Sequence, residues 1–193
     1  SDVYKRQVLH SGNYIGGDQI KYFEESFSKY LGVNNVIGCN SGTDALILAL
    51  RALDIGKDDE VITSSFSFFA TAESISSVGA KPVFVDVEAD GFLIDIDLIE
   101  KAITSKTKAI LPVHLFGCPV DMDKILKLAD KYNLKVIEDC AQAAGAKWKD
   151  KFVGNWGDVG CFSFFPTKNL GAAGDGGAVT VSYTHLTLPT NGC

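Results

Sequence analysis

No apolar stretch in the chain approaches the roughly 20 residues that a membrane-spanning helix needs, and the opening SDVYKRQVLHSG lacks the apolar segment of a secretory signal. No membrane partner and a cytoplasmic location are expected. Long runs of one charge are missing as well. The 18 basic and 24 acidic residues leave a net charge of -6, which argues against a nucleic-acid or anionic-membrane footprint and favours a small-molecule partner. The five cysteines, Cys39, Cys118, Cys140, Cys161 and Cys193, form an odd set without C-x-x-C spacing. That argues against a disulfide framework or zinc ribbon, and the thiols are expected reduced and mostly buried. No H-E-x-x-H segment or histidine pair points to a metal, and His114 in PVHLFG reads as a satisfied core histidine. There is no G-x-x-x-x-G-K-[ST] loop, and the glycines of GAAGDGGAV precede a strand where a dinucleotide fingerprint would link strand to helix.

What is present suffices for one large domain: 193 residues, 46% hydrophobic and 22% charged, without internal repeat or linker. From Asp18 to Leu31 the residues Ile20, Phe23, Phe27, Tyr30 and Leu31 recur at helical spacing, and Gly32 ends the run. Short apolar strands then alternate with helices. The strands are NVIGC, EVITS, PVFVDV, KAILPVHL, LKVIED, VGCFSF and GGAVTV; the helices are TDALILALRAL, FATAESISSV, DIDLIEKAI and DMDKILKLADKY. Strands apolar on both faces predict an α/β fold, a mainly parallel seven-stranded sheet with helices on both sides. The two ends depart from this pattern. Residues 1–7 and 182–193 read as non-native tails, leaving 8–181 as the folded domain.

Ligands of open parallel sheets bind beyond the carboxyl ends of the strands, and three polar clusters fall there. In CNSGTDALILAL a helix begins near Thr43 behind Ser41 and Gly42, and its free N–H groups suit a phosphate, although a plain N-cap by Ser41 or Thr43 explains the same residues. In KVIEDCAQAAG, Glu138 and Asp139 close a strand and face opposite ways, so one of them looks into a given pocket. In DVGCFSFFPTKNLGAAGDGGAV, Lys168 follows a strand and a Pro166 turn between nearly uncharged flanks, where apolar surroundings would favour a nucleophilic amine. A phosphate site, an acid and an amine are what pyridoxal 5'-phosphate requires: a lysine for its aldehyde, a carboxylate for its ring nitrogen, and donors for its phosphate.

The segments GCNSGTDALILALRAL, DEVITSSFSFFATAESI, GAKPVFVDV, HLFGCPVDMD, VIEDCAQAAGA and FSFFPTKNLGAAGDGGAV together resemble the DegT/DnrJ/EryC1/StrS sugar aminotransferases, which are fold type I enzymes dependent on pyridoxal phosphate. The likeness runs from about Ser11 to Val181. It implies that Lys168 holds the cofactor and carries protons, and that Asp139 pairs with the ring nitrogen. It also implies that Gln142 lies near the phenolic oxygen, that Gly42, Thr43 and Ser163 bind phosphate, and that Phe68 stacks on the ring. The implied reaction moves an amino group from an amino acid, commonly glutamate, to a nucleotide-linked ketosugar, in a homodimer. The family's chain continues past GGAV into a smaller C-terminal domain, so this sequence is expected to be the N-terminal large-domain part. A non-catalytic binder of the same fold, and another fold type I chemistry such as elimination, stay open on these residues.

Overall fold

In the computed structural model, which describes residues 2–13 and 16–181, the alternating strands and helices build one open sheet. The helices are α1 (Asp2–Ser11), α2 (Asp18–Leu31), α3 (Gly42–Ala52), α4 (Phe69–Ser77), α5 (Ile96–Ala102) and α6 (Met122–Tyr132). The strands are β1 (Asn35–Cys39), β2 (Glu60–Ser64), β3 (Lys81–Val85), β4 (Thr107–Leu111), β5 (Lys135–Asp139), β6 (Lys147–Trp148), β7 (Lys151–Phe152), β8 (Val159–Ser163) and β9 (Gly177–Val181). Seven strands pair in the order β1-β9-β8-β5-β4-β2-β3. From β8 to β3 every pairing is parallel, whereas β9 runs antiparallel to both β8 and β1. This reversal brings the amino end of β9 to the rim where the other strands end, with Gly177 in register with both Cys39 and Ser163.

Side chains alternate between the two faces of each strand, and here both faces are apolar. Val61, Leu111, Ile137, Cys161 and Val179 meet Ala45, Leu46, Ala49 and Leu50 of α3 and Ile75 of α4. On the opposite face Ile62, Ile110 and Val136 meet Ile99 of α5 and Met122, Ile125 and Ala129 of α6, while Phe162 and Ala178 meet Phe27 and Leu31 of α2. The expected sheet, mainly parallel and covered on both sides, is therefore present. Helices α3, α5 and α6 start on side-chain caps: Ser41, Asp95 and Asp121 accept the N–H groups of Asp44, Asp97 and Lys124 at 3.0–3.1 Å. Gly32 and Asn133 end α2 and α6 in left-handed conformations.

The structure departs from the sequence reading in four places. The hairpin β6-β7 joins β5 to β8, and strands of two residues are too short to show a period. Residues 2–11 form α1, a helix absent from those read in the sequence, and its described side chains are largely exposed and so carry no apolar stripe. Ile20 and Tyr30 are 43% and 54% exposed, because α2 packs beside the edge strand β1 and is covered there mainly through Phe27 and Leu31. Cys140 and Cys161 are buried as expected, and burial pushes both thiols up. Cys39 is only half-buried, and Cys118 is exposed where the 3₁₀ turn Leu115–Gly117 leads the chain to the surface. Residues 182–193, with Cys193, lie outside the described residues. Among those described, no helix is long and apolar enough to cross a membrane.

Candidate active site

At the rim where the strands end lies a cavity of about 380 Å³, within the range of small-molecule sites. All seven residues singled out from the sequence, Gly42, Thr43, Phe68, Asp139, Gln142, Ser163 and Lys168, line it. They arrive from four places: the β1-α3 turn, the start of α4, the end of β5, and the end of β8 with the loop beyond.

The β1-α3 turn is shaped by two glycines. A Cβ on Gly42 would sit 2.6 Å from Ser163 Cβ, and one on Gly177 would sit 2.2 Å from the Ser41 carbonyl oxygen. Backbone therefore lies directly on backbone, and the first turn of α3 is pressed against the ends of β8 and β9. Ser41 caps the helix through the Asp44 N–H, as the plain reading has it. The Gly42 and Thr43 N–H groups head the helix with no partner among the described residues, which leaves an anion-binding corner beside the Ser163 hydroxyl. A Gly177→Ala chain is expected to lose about 1–3 kcal/mol of stability from overpacking. The measurement is a denaturant midpoint, with Ala178→Gly as the control for a change that adds no volume.

Asp139 and Glu138 point to opposite sides of β5, as strand alternation requires. Asp139 lines the cavity at 4% exposure, with the Ala141 N–H on Oδ1 at 3.1 Å and the Thr71 hydroxyl on Oδ2 at 2.9 Å. Burial pushes its carboxyl above the ordinary aspartate range, against the opposing pull of those two donors, His114 and the charge of Lys168. The acid and the amine thus sense each other across the cavity. Glu138 instead accepts from His114 Nε2 and the N–H groups of Gly154, Trp156 and Gly157. His114 Nδ1 accepts the Val120 N–H at 3.1 Å, which puts the ring proton on Nε2 and makes His114 the satisfied core histidine expected of it. His114, Glu138 and Cys140 bring ligand atoms within 4.8 Å of one another, yet the histidine and glutamate donors are already spent on these hydrogen bonds.

Lys168 is half-buried, in a loop that is otherwise exposed from Phe165 to Asp175. The apolar flanks expected around it are therefore only partly realised: Phe165 and Leu170 are 47% and 46% exposed. The loop is nonetheless pinned. Phe164 donates its N–H to Gly176 and accepts that of Ala172, each at 2.7 Å, and the Lys168 N–H closes a turn on Phe165 at 2.8 Å. Gln142 lines the wall with its Oε1 accepting the Phe116 N–H at 2.8 Å. Phe68 is 69% exposed at the mouth. The sequence reading missed Ser67, Thr71 and Asp175, which also line the cavity. Thr71 reaches Asp139 from 68 positions away, and no local pattern announces such a contact.

The chain is similar to several known proteins. A UDP-N-acetyl-3-dehydro-alpha-D-glucosamine 3-aminotransferase of Acidithiobacillus ferrooxidans is 54% identical over 180 residues, which cover 93% of this chain and 49% of that protein. Among solved structures, Streptomyces venezuelae DesV in complex with a ketimine intermediate is 46% identical with a TM-score of 0.93, over 96% of this chain and 50% of that one. NtdA of Bacillus subtilis with bound cofactor PMP is 41% identical with a TM-score of 0.90, over 94% of this chain and 41% of that one. The chain thus spans about half the length of the relatives it matches. A sequence profile matches residues 3–187, a range that includes every wall of the cavity, and the chain belongs to the DegT/DnrJ/EryC1/StrS aminotransferase family.

Proposed function

We propose that this chain carries the cofactor half of a pyridoxal-phosphate-dependent aminotransferase that transfers an amino group, with glutamate as donor, to a nucleotide-linked ketosugar. The observation that carries the reading is one cavity holding a lysine amine, a buried carboxylate that feels its charge, and an open helix N-terminus. The residues fit the cofactor. Gly42 leaves a cradle that a Cβ would close, and the N–H groups beside it offer unspent donors. The relatives' names as sugar aminotransferases and the PMP-bound state of NtdA support the same assignment.

Each residue then has a definable task. The Gly42 and Thr43 N–H groups and the Ser163 hydroxyl would take the phosphate, where the partial positive charge of the helix end favours an anion. Lys168 Nζ would hold the cofactor covalently and, once released, move the proton at that atom between carbon centres. Asp139, whose anion its donors favour against burial, would hold a proton on the ring nitrogen, and Gln142 and Phe68 would line the ring and exclude water. Pyridoxal phosphate itself supplies the electron sink that makes a C–H bond beside an amine acidic. The sugar is read from the relatives' names and the donor from the family resemblance, and the second active-site partner would be another copy of the chain.

Adding pyridoxal phosphate to the protein is expected to develop a visible absorption band, and borohydride should then fix the cofactor's mass on the peptide containing Lys168. A chain that stays colourless and unmodified with excess cofactor would overturn the proposal. In the full-length enzyme, incubation with glutamate is expected to convert the bound cofactor to its amine form.

A further inference from the structure

Asp139 is held by more than the strand that carries it. The Thr71 hydroxyl donates to Oδ2 at 2.9 Å, and Ser67 Oγ lies 2.8 Å from Thr71 Oγ1. A hydroxyl has one proton to give. With the Thr71 proton committed to the carboxylate, Ser67 must be the donor in the second contact, so donation runs from Ser67 through Thr71 to Asp139. Thr71 is 2% exposed on the first turn of α4, and Ser67, Thr71 and Asp139 all line the same cavity. The backbone of that turn is fixed in its own right, by the Thr71 N–H on the Phe68 carbonyl at 3.1 Å and the Ser74 hydroxyl on the Thr71 carbonyl at 2.9 Å.

We propose that Thr71 is the positioning residue of Asp139 and that Ser67 polarises it, so that this two-hydroxyl relay sets the orientation of the carboxylate and the ease with which it ionises. The inference rests on reading the cavity as a pyridoxal-phosphate site, because only an ionised Asp139 can hold a protonated ring nitrogen. The groups facing Asp139 divide clearly. Burial favours its neutral form, and the Ala141 N–H, the Thr71 hydroxyl, His114 and Lys168 favour its anion. His114 acts as a dipole, since its Nδ1 is occupied by the Val120 N–H. The neighbouring thiols Cys140 and Cys161 are held neutral by burial. Lys168 is consumed when it bonds the cofactor, and the Ala141 N–H belongs to the turn that follows β5. Thr71 is then the one side chain in hydrogen-bond contact with Asp139 among the described residues.

The test is a pH titration of the cofactor-free 193-residue chain labelled with 13C at aspartate Cγ, the Asp139 resonance being assigned by its loss in Asp139→Asn. Thr71→Val keeps the volume and removes the donor, and is expected to raise the Asp139 midpoint by about one pH unit, a tenfold tighter hold on the proton. Thr71→Ser restores the hydroxyl and should leave the midpoint unchanged. Ser67→Ala should raise it by about half a unit, because its effect passes through Thr71. An unmoved midpoint in Thr71→Val, or an equal rise in Thr71→Ser, overturns the relay. Should Thr71→Val not fold by circular dichroism, an unmoved midpoint in Ser67→Ala overturns it. The unaltered chain is then given pyridoxal phosphate, and its uptake is set beside the midpoints of the variants. Cofactor uptake with an unshifted midpoint sinks the relay alone, whereas a shifted midpoint without uptake upholds the relay and sinks the proposed function.

Discussion

Lys168→Ala is expected to abolish borohydride fixation of pyridoxal phosphate on the chain and, in the full-length enzyme, to lower amino transfer by at least about 10⁴-fold. The loss is large because one amine has two tasks, as the group that bonds the cofactor and as the carrier of the proton. No second amine lines the cavity: among its described lining residues Lys168 is the only lysine or arginine. The loop that presents it is fixed at both ends by the backbone bonds of Phe164 to Ala172 and Gly176, so removing the side chain should leave the loop in place. Lys168→Arg separates charge from nucleophilicity, since a guanidinium keeps its proton at any working pH. That variant should also fail to fix the cofactor. The charge of Lys168 helps to ionise Asp139, so the Asp139 midpoint should rise in Lys168→Ala and rise less in Lys168→Arg. Undiminished fixation on another lysine of Lys168→Ala would show that the cavity is not where the cofactor is held.

Much of the site was legible because short, continuous apolar runs between turns and helices mark where buried strands end. Once β5 and β8 are recognised, Asp139 and the Ser163 to Lys168 segment have to lie at the same rim. The turn before α3 was legible for a related reason, since small residues between a strand and a helix leave N–H groups free. Phe68, Gln142 and Ser163 entered through family resemblance, and no spacing rule would have selected them. What stayed hidden has long-range causes. The fit of Gly177 depends on the carbonyl of Ser41, a contact created by the antiparallel return of β9. The role of Thr71 depends on the packing of α4 against α3, β3 and β2, which brings its first turn to the end of β5. Apolar surroundings were expected for Lys168 from its neighbours in sequence, yet the loop turns those neighbours outward.

Glu138 is the least legible of these residues, because its partners are mostly main-chain N–H groups with no side-chain signature. Its replacement by alanine is expected to have the largest effect on stability. Oε2 accepts from His114 and Gly154 at 3.0 and 2.8 Å, and Oε1 from Trp156 and Gly157 at 2.7 and 2.8 Å. The carboxylate is 0% exposed. With His114 neutral, a single buried charge is balanced by four dipoles, and those donors tie the 154–157 loop to β5 and thereby set β5 against β8. Glu138→Ala leaves two buried and two half-buried donors without an acceptor, at a cost of about 3–5 kcal/mol, or about 6–20 °C in Tm for a chain of this size. Burial pushes the Glu138 carboxyl up, but His114 and the backbone donors outweigh it and hold it below the ordinary glutamate range. Its contribution is thus fully present above about pH 4.3, the unfolded value, and is lost as pH falls through the lower folded value. Asp139 acts with the opposite sign. Its folded carboxyl lies above the aspartate range, so the native state binds the extra proton and gains stability as pH falls through that window. Adjacent carboxylates on one strand therefore partly cancel on the acid side. Asp139→Asn should make acid unfolding steeper by exposing the whole Glu138 contribution, and should stabilise the cofactor-free chain at neutral pH. Glu138→Gln should be less stable than wild type at pH 7 and flatter below pH 5, where its neutral side chain has no charge to lose. Urea midpoints measured from pH 3 to pH 7 check both variants, and an acid limb in Glu138→Gln as steep as that of wild type would mean that Glu138 is not the charge whose protonation unfolds the chain.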